Sequence, residues 1–343
     1  MLLPDWARAH GGPLLDAQIR RTPGDFLVTE IIDFELTGDG EHDFLWIEKT
    51  DANTAWVSRQ LARHAGVPPV DVGYAGLKDR RAITQQWFSV RRPTGAGTDW
   101  AAFDADGVQI LKIERHNRKL RRGAHRANAF RIALRSVAID EQRESIRERI
   151  QLIAASGVPN YFGEQRFGHD GGNLELVQKV FAGRRVKRDK RSIAISAARS
   201  FLFNQILHAR VRKKSWNRLE TGDLANLDGS ASVFSVDELT PELAQRCSEG
   251  DLHPTGSLWG DGAPCTTADV AAAECDAVAS YESFTAGLSK ARVEAASRPL
   301  RLPVADFTVE FDAGVAWLVF RLQKGSYATT VLRELFRLSS ANS

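Results

Sequence analysis

The sequence predicts an α+β protein interrupted by a helix-rich insertion, and three observations carry that expectation. The first 155 residues read as strand patterns in antiparallel-like succession with only a few helices. Helical patterns dominate after Gly157-Val158-Pro159. Strand patterns return at Asp306–Phe311 and Val315–Gln323, where they are placed to complete the first sheet. Strands grouped apart from helices mark α+β organisation rather than alternating α/β units. A chain of 343 residues is long enough to bury a sizeable core and to form two domains.

In order along the chain, Ile19 to Asp25 is a turn around Pro23-Gly24, and Phe26–Ile32 alternates as a strand. Gly38-Asp39-Gly40 is a second turn. His42–Lys49 then reads as the partner strand of a hairpin or meander. Thr50 to Thr54 supplies an N-cap for a helix over about 55–65, stopped by Gly66 and Pro68-Pro69. Val72–Ala75 and Gln86–Val90 are strands. Pro93–Asp106 is a loop, Val108–Arg115 a strand and Asn117–Arg126 a basic loop. Ala129–Ala138 is a strand with Phe130, Ile132 and Leu134 on one face, and Asp140 caps a helix to about Ala155. Helices are expected at Leu174–Phe181, Ile193–Lys213, Thr240–Cys247, Thr267–Phe284, around Ser289–Arg298 and over Tyr327–Leu338, with a short strand at Ala231–Val236.

Charge is distributed unevenly. The net +3 conceals thirteen acidic residues between Glu220 and Glu282 against the single Arg246, a local −12 that leaves +15 elsewhere. The cations cluster: nine Lys/Arg in Lys112–Arg135, six in Arg184–Arg191 and six in Arg199–Arg218. Three such clusters are the electrostatic footprint of a polyanion binder. No apolar run approaches membrane-spanning length, and Met1–His10 lacks a signal pattern. Cys247, Cys265 and Cys275 have no metal spacing and suit a reducing cytoplasm. Phosphate-loop, dinucleotide, His-Glu-x-x-His and Gly-x-Ser-x-Gly motifs are missing. The reaction class favoured is therefore redox-neutral and free of metal and cofactor, on a polyanionic substrate.

Between the strands at 72–75 and 86–90 lies Gly76-Leu77-Lys78-Asp79-Arg80-Arg81, one carboxylate among three cations. A carboxylate beside a cation has a lowered pKa and stays ionised, so Asp79 is either a nucleophile or base, or a turn residue in a surface ion pair. The cations beside it in the motif are Lys78, Arg80 and Arg81.

Four segments stand out together: Asp25 to Glu30, Gly76 to Gln86, His116 to Gly123 with its continuation Asn128-Ala129-Phe130, and Val158 to Gly168. Gly325-Ser326-Tyr327-Ala328-Thr329 follows later. In this order and spacing they resemble the TruD family of tRNA pseudouridine synthases, over nearly the whole chain. The resemblance implies a pseudouridine synthase core with a mixed, mainly antiparallel sheet (1–156 and 304–343) and an inserted TRUD domain (157–303). It implies tRNA as partner, uridine 13 of the D-stem region as target, commonly in glutamate tRNA, and a cytoplasmic enzyme taken here as a monomer. Asp79 matches the catalytic aspartate, and Arg20 stands where a lysine is usual near it, which makes Lys78 or Arg20 the partner of Asp79; consecutive residues on an extended chain point apart, which favours Arg20. Phe26, Asn128 and Tyr327 match uridine contacts, and Phe130 would line the base pocket. Lys78, Arg118, Lys119, Arg121, Arg122 and Arg126 are candidate phosphate contacts. Three positions depart from the family pattern. Arg20 makes the positive charge permanent, Tyr327 replaces phenylalanine, and Ala127 stands where glycine is common. The competing reading is a noncatalytic RNA-binding protein or RNA chaperone of the same fold. A protein-binding scaffold built on the acidic 220–282 segment is a third.

Overall fold

The computed structural model describes residues 3–92, 97–168 and 171–340. The part of the expected Pro93–Asp106 loop at 93–96 lies outside them. In chain order the elements open with β1 (Leu15–Ile19), β2 (Phe26–Ile31), β3 (His42–Thr50), α1 (Thr54–Ala65), β4 (Val72–Tyr74) and β5 (Ile83–Arg91). They continue with β6 (Val108–His116), β7 (Ala127–Arg135), α2 (Arg143–Ser156), β8 (Val158–Pro159), α3 (Gly172–Phe181) and α4 (Arg188–Arg212). Next come β9 (Leu224–Leu227), β10 (Val233–Ser235), α5 (Pro241–Glu249), β11 (Leu252–Leu258), α6 (Ala268–Val278) and α7 (Glu282–Lys290). The last are β12 (Ala296–Pro299), β13 (Arg301–Leu302), β14 (Ala305–Asp312), β15 (Val315–Gln323), α8 (Ala328–Leu332) and β16 (Phe336–Ser340).

The described residues fall into two compact units. One draws on Leu14–Ile150, Ala305–Gly325 and Phe336–Ser343, the other on Met1–Pro13, Gln151–Val304 and Ser326–Leu335. The first unit is built on a ten-stranded sheet with the path β14-β15-β7-β2-β5-β3-β6; β1 pairs with β16 and β7, and β4 with β5. Among the described residues of this sheet, β1–β16 and β2–β5 pair parallel and the other pairs are antiparallel. The α+β class and the mixed, mainly antiparallel sheet are those expected, and β15 does extend the first sheet, through nine registered pairs with β7. The second unit packs Phe201, Phe203, Leu207 and Val211 of α4 with Trp6, Tyr161, Phe167 and Leu174. It also holds a four-stranded sheet, β10-β9-β11-β12. The N-terminal segment and Ser326–Leu335 cluster with this unit rather than with the sheet.

Several local expectations are corrected. β2 and β3 do not form a hairpin: β3 pairs with β5 and β6, because β5 inserts between them. The helix expected over Thr267–Phe284 breaks at Ala279–Tyr281, and of the helix expected around Ser289–Arg298 only Ser289 and Lys290 are helical, as the end of α7, before a turn leads to β12 at Ala296. Here pairing with β11 overrides weak helical propensity. The last helix stops at Leu332, and Phe336–Ser340 pairs parallel with β1, an edge that only tertiary structure offers. By contrast α1 meets expectation. Asn53 caps it by accepting from the Ala55 N–H at 3.0 Å, Gly66 closes it at φ 65°, and Val57, Leu61 and Ala65 form its buried stripe.

Candidate active site and nucleic-acid interface

In an antiparallel sheet directly paired residues share a face. The pairs Val28↔Phe130, Glu30↔Asn128, Phe130↔Phe320 and Lys49↔Thr84, with Val28↔Thr84 between parallel strands, put these residues on one face. β4 pairs with the far end of β5 (Val72↔Val90), while the near end of β5 pairs with β2 (Leu27↔Ile83). Residues 75–82 therefore form a long connection instead of a tight hairpin, and Asp79 lies in it.

Buried polar groups hold this loop. Gln86 donates to the Gly76 carbonyl at 3.2 Å and accepts from the Thr54 hydroxyl at 3.0 Å, and Thr54 Oγ1 accepts from the Lys78 N–H at 3.0 Å. Lys49, fully buried, donates to the carbonyls of Asp79 at 2.8 Å and Ala52 at 2.7 Å. Burial lowers the Lys49 pKa to about 8, with nearby Asp79 opposing the shift and Lys78 adding to it. The Lys78 ammonium lies 2.7 Å from Glu30 Oε2, with side-chain exposures of 5% and 0%. The other Glu30 oxygen accepts from the Trp87 N–H at 3.2 Å, where β2 and β5 cease to pair. The expectation that Lys78 meets RNA phosphates is thereby corrected. Its charge is spent on a buried carboxylate and withdrawn from solvent.

Asp79 differs from its neighbours. Its side chain is 47% exposed, and its Oδ2 lies 3.1 Å from Nη2 of Arg20. Arg20 follows β1 with a left-handed backbone, φ 58°. Its guanidinium sits 4.1 Å over the Phe26 ring. Of the two partners considered for Asp79, the structure selects Arg20. Phe26 is 1% exposed and meets Phe130 edge-on at 6.3 Å, and Phe130 in turn stacks on Phe320 at 5.3 Å. Both aromatics are thus core residues of the sheet face next to Arg20. Asn128 is half-buried, and its Oδ1 has no hydrogen-bond partner among the described residues.

The basic loop 117–126 lies against β4. Leu120 is buried, its N–H donates to Ser89 Oγ at 2.9 Å, and the Gly123 N–H donates to the Ala75 carbonyl at 2.7 Å. A Cβ on Gly73 would come within 2.4 Å of the Leu120 carbonyl oxygen, so glycine is required for that approach. His125, buried against Gly76, has its pKa lowered to about 4 by burial, with Lys78 and Lys324 adding to the effect. Arg118, Lys119, Arg121, Arg122 and Arg126 are exposed. Lys119 donates to the Val70 carbonyl and Arg122 covers the Tyr74 ring at 3.7 Å, which leaves Arg118, Arg121 and Arg126 the more available.

Tyr327 belongs to the other unit. Its hydroxyl accepts from Arg166 at 2.7 Å, and in the same unit Arg298 covers Phe162 at 4.3 Å and donates to Asn160 at 2.6 Å. The segment Asn160–Gly168 thus builds this unit's interior: Phe167 is fully buried, and the Asn204 side chain bonds both backbone groups of Phe162. Sequence reasoning missed Lys49 and His125 and assigned no role to Glu30, Thr54 or Gln86. For Lys49 a signal existed: it continues the inward phase of Leu45 and Ile47, where a lysine is out of place. Among the described residues no group of three potential ligands is gathered for a metal ion, and no helix is long and apolar enough to cross a membrane.

A sheet with a half-exposed, arginine-paired aspartate beside an exposed basic loop defines a protein equipped to work on a polyanion. Comparison with known proteins is more specific. The family model for tRNA pseudouridine synthase D (TruD) matches residues 9–188 and 180–335. A tRNA pseudouridine synthase D of Methylococcus capsulatus is 48% identical over 337 residues, covering 96% of this chain and 94% of that protein. One of Aeromonas salmonicida is 43% identical, covering 99% and 96%. A crystal structure from Methanosarcina mazei, named as a candidate tRNA pseudouridine synthase D, superposes with a TM-score of 0.72 at 20% identity, over 98% of this chain and 95% of that one. At that identity the last likeness speaks for the fold. The chain belongs to the tRNA pseudouridine synthase D family.

Proposed function

We propose that this chain isomerises uridine to pseudouridine in tRNA, at uridine 13 of the D-stem region in tRNAs of the glutamate type, with Asp79 as the catalytic carboxylate. The observation that carries the geometric side of this reading is the Arg20–Asp79 pair at 3.1 Å. It leaves the Asp79 carboxylate half exposed, while Lys49, Lys78 and Glu30 around its loop are buried.

The reaction breaks the N1–C1′ bond and joins C1′ to C5. The C5 proton leaves and N1 gains one, so atoms and electrons balance with no redox partner. Reaching C1′ in folded RNA requires extruding the nucleotide, which costs a few kcal/mol. Asp79 then acts as a nucleophile or as the base that starts glycal formation. Arg20 neutralises part of its charge. Since Arg20 covers Phe26, a uracil that stacks on that ring has to take the place of the guanidinium. The unpartnered Oδ1 of Asn128 is suited to accept the uracil N3–H. Phe130 backs Phe26 as part of the pocket wall. Arg118, Arg121 and Arg126, with Lys119 and Arg122 behind them, hold phosphates and so position the RNA without reading its sequence. Tyr327 is proposed as a further uridine contact on the motif match alone. Reaction in the cytoplasm as a monomer is part of the same proposal.

The test maps pseudouridine in total tRNA from cells with and without this protein. Its removal is expected to erase the modification at uridine 13 and leave other positions intact. An unchanged map would refute the reading.

A further inference from the structure

A cavity of about 650 Å³ opens on the sheet unit at the end of β3 remote from Asp79. That size lies within the ~300–1,000 Å³ typical of small-ligand sites. Along β3, His42 pairs with His116 at one end, and Lys49, bonded to the Asp79 carbonyl, stands at the other. Phe44 in the cavity wall is five residues from Lys49 along β3, about 16 Å, and an odd spacing puts the two side chains on opposite faces of the sheet. The ring wall of the cavity therefore lies on the other face of the sheet from Lys49, while Leu120 and Ala124 border the Ala75 end of the Asp79 loop.

Its walls combine rings and cations. Phe34 and His116 lie at 5.7 Å with planes 32° apart, and Phe44 braces His116 edge-on at 5.2 Å. Phe44 is fully buried, whereas Phe34 and His116 are half-buried and keep ring surface on the cavity. His116 Nδ1 accepts from the Thr37 N–H at 3.3 Å, which places the imidazole proton on Nε2. Burial, then Arg118, hold the His116 pKa below its usual value, so the neutral ring is the form that faces a ligand at neutral pH. Asn117 supplies an exposed amide, and Arg118 and Arg121 stand at the rim with their side chains in solvent. A bare anion would need no aromatic wall, and an apolar peptide would gain nothing from two guanidinium groups. An unpaired nucleotide uses all of it: a base on the ring faces, its edge on Asn117 and His116, and its phosphates on the arginines.

We propose that this cavity is a second nucleotide-binding pocket, which captures an unpaired base of the RNA several residues away from the uridine that reacts. The proposal rests on the RNA-modifying reading above. A second anchored base would fix the register of the RNA and keep the target uridine over Asp79.

The test uses the full chain, an in vitro transcribed substrate tRNA, filter binding, and ultraviolet cross-linking with peptide mapping. Phe34→Leu is expected to weaken tRNA binding about tenfold, the worth of one stacked base, and Phe34→Trp to retain it. Asn117→Ala, at an exposed position that leaves the fold intact, is expected to weaken binding about threefold. Cross-links are expected in the peptides that carry Phe34 or His116. If the wild type modifies tRNA but Phe34→Leu and Asn117→Ala bind it as the wild type does, with no adduct in those peptides, the pocket is refuted and the enzymatic reading stands. If the wild type neither binds nor modifies tRNA, both fall.

Discussion

The Asp79 loop and the basic loop are neighbours on the same sheet, yet they are held by opposite means. Residues 76–82 are fastened by buried polar side chains: Gln86, Thr54, Lys49 and the Lys78–Glu30 pair each take a backbone or charged group of the loop out of water. Residues 117–126 are fastened by Leu120, His125 and backbone hydrogen bonds to Ser89, Ala75, Ile31 and Lys324, and the charges of Arg118, Arg121 and Arg126 are left in solvent. The difference suits the two tasks proposed for these loops. A carboxylate that must meet one atom of a substrate needs a backbone that cannot drift. Phosphate contacts draw on charge and tolerate variation in side-chain placement. Charge alone is therefore a poor guide to role here: Lys78, in a motif of three cations, is an internal strut.

The sharpest break between the two loops is at Asp79 itself. Asp79→Asn is expected to lower pseudouridine formation by roughly a thousandfold or more and to leave tRNA affinity within about threefold. A variant that turns over at the wild-type rate would sink the assignment of Asp79. Next comes the strut. Lys78→Met strands the Glu30 carboxylate and should cost about 3–5 kcal/mol in a urea melt, whereas replacing both partners with apolar residues should cost less. A loss below about 1 kcal/mol would mean that the pair does not hold the loop.

A third test uses pH at the joint between the loops. His125 titrates near 4 in the folded chain and near 6.5 when unfolded. Between those values the unfolded state binds more protons, so stability falls as pH drops from 6.5 to 4, by on the order of 3 kcal/mol at most. His125→Asn should flatten that part of the profile; an unchanged slope would place the acid sensitivity elsewhere. The smallest effect is expected at the basic loop. Arg121→Gln should weaken tRNA binding a few-fold and reduce the salt slope by about 1, with little change in rate at saturating tRNA. A slope equal to that of the wild type would remove Arg121 from the phosphate contacts.

Much of this organisation was legible in the sequence. Alternation located β2, β3 and β5 to β7, and capping and a terminal glycine located α1, because these patterns are set within a few residues. The Arg20–Asp79 partnership was legible only in part: the resemblance put Arg20 beside Lys78 as a candidate, and the divergence of adjacent side chains on an extended chain chose between them. What was not legible depended on partners far away in the chain. β16 is a strand because β1 offers a parallel edge, and β11 and β12 because they offer edges to each other. Leu252–Leu258 and Ala296–Pro299 show no apolar alternation, and Phe336–Ser340 follows directly on a helical pattern, so period alone did not mark them as strands.

The sequence by itself determined the class of the fold, the positions of its main strands, the clustering of positive charge and the motif in which Asp79 stands, all of which are written in local spacing and composition. Only tertiary structure decided which charges are buried and which are free. Lys49 and Lys78 were committed to a carbonyl and a carboxylate inside the sheet unit, while Arg118, Arg121 and Arg126 were left in water. The physical reason is desolvation. A cation leaves water only where folding brings it an acceptor, and the acceptors here, the Asp79 carbonyl and Glu30, stand 30 and 48 residues away along the chain.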